Sequence, residues 1–376
     1  QVIPVVHKQE QILGDEDTFR QTLDDIRSAD GVIWAFPIYT LLVHYHLKRF
    51  IELVIKRSAQ DAFRGKYTAT LSTSIHFFDN TAHDYVHGTC DDWNMKFVGS
   101  FSASVYDLLE KKNQKQLVHF ARDFFLAIET QRPIVKAFDP ILPHQFDYSP
   151  QRPSNVTARD GRLPLGGKNV LILTDAEDQS SNASKMVEKL RSHFEGAPEA
   201  INLNQILVHS GCVGCFQCGG DGICIFRDKD DLHELYMSKV APADIVVMAG
   251  TVTDRYLSSR WKVFFDRGFF RPVIPWLPGK QLAFLVSGPL KQCATLQTIL
   301  EGYAGFHQAN LAGIVTDECQ DSQQIDRLLE DLASRLVDFA THEYVRPRNF
   351  LGIGSTKIFR DETYGFLRPV FREAYR

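Results

Sequence analysis

Four thiols fall within thirteen positions, CVGCFQCGGDGIC at 212–224, in a chain of 376 residues that holds only seven cysteines. Cys212, Cys215 and Cys218 recur at two-residue intervals, a spacing that lets three thiolates take three corners of one iron–sulfur cubane. Gly219, Gly220 and Gly222 allow the chain to double back so that Cys224 can take the fourth corner. Zinc favours two cysteine pairs separated by a longer loop, which this compact spacing lacks. Disulfides do not suit a reducing cytosol. A zinc site, an empty remnant of a metal site, or a set of free or redox-active thiols remain the competing readings. Cys90, Cys293 and Cys319 are scattered and read as packing residues.

A second group of residues is suited to holding a flat ring. The apolar run GVIWAF (31–36) is followed at once by Pro37, Ile38, Tyr39 and Thr40. Proline fixes the backbone where a strand ends, so main-chain groups there can bond the polar edge of a planar ligand, with Tyr39 beside it. The run YTATLSTS (67–74) ends in Thr73 and Ser74, followed by Ile75, His76, Phe77 and Phe78. Small polar residues followed by aromatics suit the other side of such a ligand, and a plain turn, in which strand-end Pro, Ser and Thr are common, is the competing reading. His44 and His46 flank the first loop and are placed to steer a substrate. His83, His87 and Cys90 share a helical face, and the spacing reads as solvated surface rather than as a metal site.

The elements that must position these groups alternate along nearly the whole chain. The first half gives strands at 31–36, 67–74 and 97–105, with helices at 46–57, in the 80s and 90s, and over 114–131. The second half gives strands at 169–175, 199–204, 245–250, 281–288 and 310–318, with helices at 182–193, 259–269 and 322–341. Strands alternating with helices predict α/β architecture, with doubly wound parallel sheets covered on both faces. The segment 29–52 also aligns without gaps on 243–266, at an offset of 243 − 29 = 214. Ala29, Asp30, Val32, Ala35, Lys48 and Phe50 recur as Ala243, Asp244, Val246, Ala249, Lys262 and Phe264. The pattern predicts two tandem domains, 1–132 and 168–343, joined by a proline-rich linker at 133–167 and followed by a basic, aromatic tail at 344–376.

In that register QVIPVV (1–6) matches EAINLN (199–204) and is expected to be a strand. The first domain then lacks the strand at the centre of a 2-1-3-4-5 sheet, which would leave two facing edges unpaired. About 30 residues are therefore expected upstream of Gln1, going by the spacing of the second domain.

FPIYTLLVHYHLKRFIE (36–52) resembles the P-x-Y…L-K-x-F segment of the NADPH-dependent FMN reductase family of flavodoxin-like proteins. The C-x-x-C-x-x-C-x5-C run is similar to the cysteine motif of its iron–sulfur flavoprotein branch. The resemblance spans about 1–130 and 168–342. It implies two tandem flavodoxin-like sheets, FMN at the strand ends, and a [4Fe-4S] cluster on Cys212, Cys215, Cys218 and Cys224. It further implies an oxidoreductase that moves electrons from NAD(P)H or ferredoxin to an acceptor. Pro37, Ile38, Tyr39, Thr40, Thr73, Ser74 and His76 would contact the flavin, and Ser180, Ser181 and Asn182 match the helix-start part of the family's phosphate loop. That second loop departs from the pattern. Asp175, Glu177 and Asp178 put carboxylates where a phosphate would rest, and Thr251 and Thr253 replace the proline and tyrosine. The competing reading makes Ser181 or Asn182 a simple helix cap. The expectation is one flavin in the first domain and the cysteines in the second, one FMN per cluster.

Three other readings stay open. One is a cluster-free NAD(P)H-dependent FMN or quinone reductase. Another is a non-catalytic electron-transfer subunit of a larger redox complex, or a homodimer. The last is a flavin-free scaffold. A formal charge of −4 argues against a nucleic-acid partner. No apolar run is long enough to span a membrane and no signal-peptide pattern opens the chain, so a cytoplasmic location is expected.

Overall fold

The computed structural model describes residues 1–104, 106–151, 162–271, 274–365 and 367–371. The chain divides into two compact units. Unit 1 holds 1–141 together with 254–262, and unit 2 holds 142–253 with 263–376.

Unit 1 begins with helices α1 (Val5–Gly14) and α2 (Glu16–Ser28), then runs β1 (Gly31–Pro37), α3 (Tyr45–Lys56), β2 (Tyr67–Ser74), α4 (Asp79–Asp92), β3 (Lys96–Ser104) and α5 (Lys111–Glu129). The strands form one parallel sheet in the order β1-β2-β3. Asp15 caps α2 by accepting hydrogen bonds from the amides of Asp17 and Thr18. The expected strand at QVIPVV is not formed. Residues 1–4 are irregular and Val5 opens a helix, so the 31–37 strand has a single neighbour. Apolar alternation over six residues does not separate a strand from a helix start, and here the helix won.

Unit 2 contains β4 (Val170–Thr174), α6 (Asn182–Ser192), β5 (Glu199–Asn202), the short α7 (Cys218–Asp221) and α8 (Leu232–Leu235), and β6 (Ile245–Thr251). It continues with α9 (Ser259–Arg267), within which the boundary between the units falls, then β7 (Gln281–Ser287), α10 (Ala294–Phe306), β8 (Asn310–Thr316), α11 (Ser322–Thr341) and α12 (Phe350–Tyr364). Its sheet is all parallel in the order β5-β4-β6-β7-β8, the doubly wound order expected. Val170, Ile172, Ile245, Val247, Ala283 and Leu285 pack with Met186, Leu190, Leu329 and Leu332 of α6 and α11. The alternate residues Leu171, Leu173, Val246, Met248, Leu282 and Phe284 are buried too, which explains why these strands read as continuous apolar runs.

Helices α1, α2, α7, α8, α10 and α12 were not expected. Helix α10 buries Leu296, Ile299, Leu300 and Tyr303 along one stripe and carries Gln297 and Glu301, bonded to each other, on another face. Helix α12 lies in the tail, whose Phe359 packs against Phe306. The two helices approach so closely that a Cβ on Gly305 would lie 3.0 Å from the Gly352 Cα. The proline-rich stretch has no regular element but is not free chain. Ala137 and Phe138 donate their amides to the buried Asp91 carboxylate at 2.9 and 3.0 Å. Tyr148 is buried in the core of unit 2.

Gly305→Leu is expected to destabilise unit 2 by about 1–3 kcal/mol through overpacking and to undock α12. Thermal unfolding combined with limited proteolysis in the exposed 341–350 stretch checks this, with faster cleavage than in the parent chain expected.

Candidate functional site

In unit 1 the sheet register sets the site. Pro37 pairs with Thr73 and Ser74 with Ser104, so the three strands release their chains along one edge. Ligands in open α/β sheets sit at that carboxyl edge. The first loop is tied at several points. The Ile38 amide donates to the Thr73 carbonyl at 3.1 Å, and Ile38 and Val43 form an antiparallel bridge that closes the turn. Leu41 adopts a left-handed φ of 61°, and its carbonyl accepts from the Thr81 hydroxyl at 2.6 Å. The Thr40 carbonyl accepts from Lys262 Nζ at 2.9 Å. Tyr39 remains half-buried, its ring 6.3 Å from that of His44.

The second loop is strained. His76 and Phe78 both have left-handed φ, 59° and 54°, values that side chains other than glycine rarely adopt. The Ser74 hydroxyl oxygen accepts from the His76 amide at 2.9 Å. The exposed His76 ring places Nδ1 2.8 Å from Asp79 Oδ2, which also accepts from the Ser102 hydroxyl at 2.7 Å. Burial works to raise the Asp79 pKa, but the hydrogen bonds from His76 and Ser102 prevail and hold it below the usual carboxylate range. The arrangement presents a hydrogen-bonded imidazole–carboxylate pair at the strand-end edge.

The histidines expected on a solvated face lie inside. His83 is buried, its two ring nitrogens 2.7 and 2.8 Å from the hydroxyls of Thr70 and Ser72 on β2. His87 stacks on Phe97 with ring centroids 3.7 Å apart. Cys90 is fully buried, and burial pushes its thiol up to about 12. Alternating Thr and Ser along β2 was the overlooked signal, since those hydroxyls require partners on the inner face of α4.

The corresponding edge of unit 2 is occupied by the protein itself. Asp178 Oδ1 accepts the amides of Ser180 and Ser181 at 2.6 and 2.9 Å and the Ser180 hydroxyl at 2.5 Å. Those bonds, from Ser180 first, lower its pKa. A carboxylate thus takes the backbone donors at the start of α6 that an anion would use. Ser181 caps the helix, accepting from the Ser184 amide at 3.3 Å. Asn182 donates to the Phe146 carbonyl and to Asp317, each at 2.8 Å, and accepts from the Tyr148 amide at 2.9 Å. Buried Asp317 also accepts from the Ser287 hydroxyl and the Gly288 amide, and lies 3.0 Å from His144 Nε2. Residues 144–148 therefore run over this edge, and Ser180, Ser181 and Asn182 are all engaged.

The cysteine loop lies between β5 and β6. Gly214, Phe216 and Gly222 have left-handed φ, which lets the chain fold back on itself. Arg267 anchors it, bonding both Asp230 oxygens at 2.6 and 2.9 Å and the Ser210 carbonyl at 2.8 Å, and it also reaches the Cys224 thiol. Burial, then Asp266 and after it the thiols Cys218 and Cys224, push Cys212 up to about 12. Burial followed by Cys224 and Cys215 pushes Cys218 up to about 11. The four sulfurs are thus near enough to repel one another as thiolates. Even so, no three His, Cys, Asp or Glu side chains among the described residues are gathered closely enough to hold a metal ion. The expected closed quartet of ligands is not formed. As a donor set the loop still suits a thiolate-ligated centre, since mutually repelling thiolates need a bound cation to stabilise them. The C-terminal segment closes over this loop, where a Cβ on Gly219 would lie 2.4 Å from the Val370 carbonyl.

Residues 2–105 match the family model of NADPH-dependent FMN reductase. The matched segment contains all three strands of unit 1 and both strand-end loops. No curated protein matches the chain. Among solved structures it is similar to an FMN-dependent NADH-azoreductase from Bacillus anthracis in complex with FMN, at 16% identity and TM-score 0.35, covering 45% of this chain and 100% of that one. It is also similar to an NAD(P)H:quinone oxidoreductase from Methanothermobacter marburgensis, at 12% identity and TM-score 0.33, covering 44% and 96%. These structural similarities are too low to carry a function. No helix among the described residues is long and apolar enough to cross a membrane.

One histidine at the first loop gives a pH dependence. Burial first, then His46 and Lys262, pull His44 from 6.5 down to about 3. Between those values the unfolded chain binds a proton that the folded unit refuses. The stability of unit 1 is therefore full above about pH 6.5 and falls on acidification by about 1.4 kcal/mol per pH unit from this residue. Urea midpoints measured from pH 7.5 to 4.5 check this, and His44→Gln should flatten the slope.

Proposed function

We propose that unit 1 binds one FMN at the carboxyl edge of its sheet and that the chain is an NAD(P)H-dependent flavin oxidoreductase. The observation that carries this reading is the family match over 2–105, which brackets the two loops that the sheet register brings to one edge. FMN accepts a hydride and passes electrons on singly or in pairs. Around it, the Pro37–Thr40 loop would offer rigid main-chain groups and Thr73–His76 small polar ones. The His76–Asp79 pair would hold a proton at the rim for delivery to a reduced acceptor. In unit 2, with Asp178 at the helix start and Asn182 and Asp317 bound to one another, Ser180, Ser181 and Asn182 would serve structure rather than a second flavin.

Four adjoining thiols favour a further role for unit 2. Cys212, Cys215, Cys218 and Cys224 would hold a [4Fe-4S] cluster, a one-electron relay. NAD(P)H is the donor this reading favours, with ferredoxin or a redox-complex partner as the alternative.

The full chain titrated with FMN should saturate at one flavin per polypeptide and then oxidise NADH or NADPH in the presence of a quinone. Two flavins per chain, or none, would overturn the assignment. Anaerobic purification should give about four iron and four sulfide per chain, lost on Cys218→Ser with FMN binding retained. Yellow protein without iron would leave a cluster-free reductase.

A further inference from the structure

The repeat at an offset of 214 makes Lys262 the counterpart of Lys48 (48 + 214) and Asp254 the counterpart of Thr40 (40 + 214). Those four residues meet crosswise within unit 1, to which the segment 254–262 belongs. Lys48 Nζ lies 2.8 Å from Asp254 Oδ2 and 2.9 Å from Glu52 Oε1. Lys262 Nζ lies 2.9 Å from the Thr40 carbonyl oxygen. Each lysine reaches the strand-end position of the other repeat copy. Both lysines are fully buried.

The surroundings hold this segment in place. The Tyr85 hydroxyl donates to Asp254 Oδ2 at 2.9 Å, the Tyr256 amide donates to Asp254 Oδ1 at 2.8 Å, and the Ser259 amide donates to Glu52 Oε1 at 2.6 Å. Arg255 pairs with Asp92 through two bonds of 2.7 Å. Asp254 has thereby become a structural anchor at the position where the first copy has a loop residue for a ligand.

We propose that Lys262 is a positioning residue of the FMN site in unit 1, supplied by the second repeat copy to clamp the Thr40 carbonyl and to place a fixed positive charge behind the Pro37–Thr40 loop. The inference rests on the flavin reading above. A carbonyl bonded to a buried ammonium is held in one orientation, so the adjoining peptides of the loop are pre-set for the ring. Reduced FMN carries negative charge on its ring system at neutral pH, whereas oxidised FMN is neutral there. A nearby cation therefore stabilises the reduced form more than the oxidised form.

The test uses the full chain as wild type, Lys262→Met and Lys262→Arg. FMN dissociation constants are measured for oxidised flavin by fluorescence and for reduced flavin by anaerobic redox titration. Thermal unfolding of the flavin-free chains reports folding. In Lys262→Met the ratio of reduced to oxidised affinity should fall about tenfold, whereas Lys262→Arg keeps that ratio and weakens both affinities severalfold. A ratio in Lys262→Met within twofold of wild type overturns the proposal. If Lys262→Met does not fold, Lys262→Arg decides: unchanged affinity in both states overturns it. Wild type that binds no FMN removes the flavin reading and this inference together. Wild type that binds FMN with unaffected variants removes the inference alone.

Discussion

Three parallel strands, paired through their backbone ladder, decide where unit 1 releases its loops. Their ladder saturates the peptide groups along the sheet, and the register from Pro37–Thr73 to Ser74–Ser104 releases the chains at one edge. Peptide groups beyond that edge can turn toward a ligand because the ladder no longer holds them. Everything that gives the crevice its chemistry follows from the edge: the bridged Ile38–Val43 loop, the left-handed His76 and Phe78, and Asp79 shared by His76 and Ser102. Left-handed side chains are unfavourable in isolation and persist where neighbouring contacts over-determine them.

The same edge in unit 2 shows how such a crevice is closed from within. A helix start gathers unpaired amides, and something negative must lie near them. In unit 2 the negative group is Asp178, covalently tethered and always present. Asp317 plays a comparable part deeper in the edge, where it gathers Ser287, Gly288 and Asn182. Segment 144–148 completes the closure by offering the Phe146 carbonyl and the Tyr148 amide to Asn182. An external phosphate would have to displace bonds that have no diffusional entropy to lose.

The cysteine loop is organised on a different footing. Its backbone is turned by left-handed residues and anchored through the buried Arg267–Asp230 pair, while its sulfurs share a setting that disfavours thiolate at Cys212 and Cys218. Burial therefore keeps these two thiols protonated, and only a bound cation would favour their thiolate form. The carboxy-terminal chain lies against it at Gly219, and the rings of Phe216 and Phe371 are 6.1 Å apart.

Much of this was legible in the residues alone. Runs such as VLILT and QLAFLVS read as fully buried strands, because their apolar character is continuous over a strand's length. The carboxylates at Asp175, Glu177 and Asp178 stood out by charge alone, and Asp178 proves to accept the amides of Ser180 and Ser181. The amphipathic stripe marked a helix over about 322–341, which forms at Ser322–Thr341. Tertiary structure decided the rest. QVIPVV became irregular chain and a helix start. His83 turned inward because β2 presents Thr70 and Ser72 to it, a partnership across the sheet that helical spacing does not encode. The crosswise meeting of Lys48 with Asp254 and of Lys262 with Thr40 was likewise invisible in a one-dimensional repeat. Periodicity and charge are properties of neighbours along the chain. Which buried polar group satisfies which is settled only when distant segments are brought to hydrogen-bonding distance.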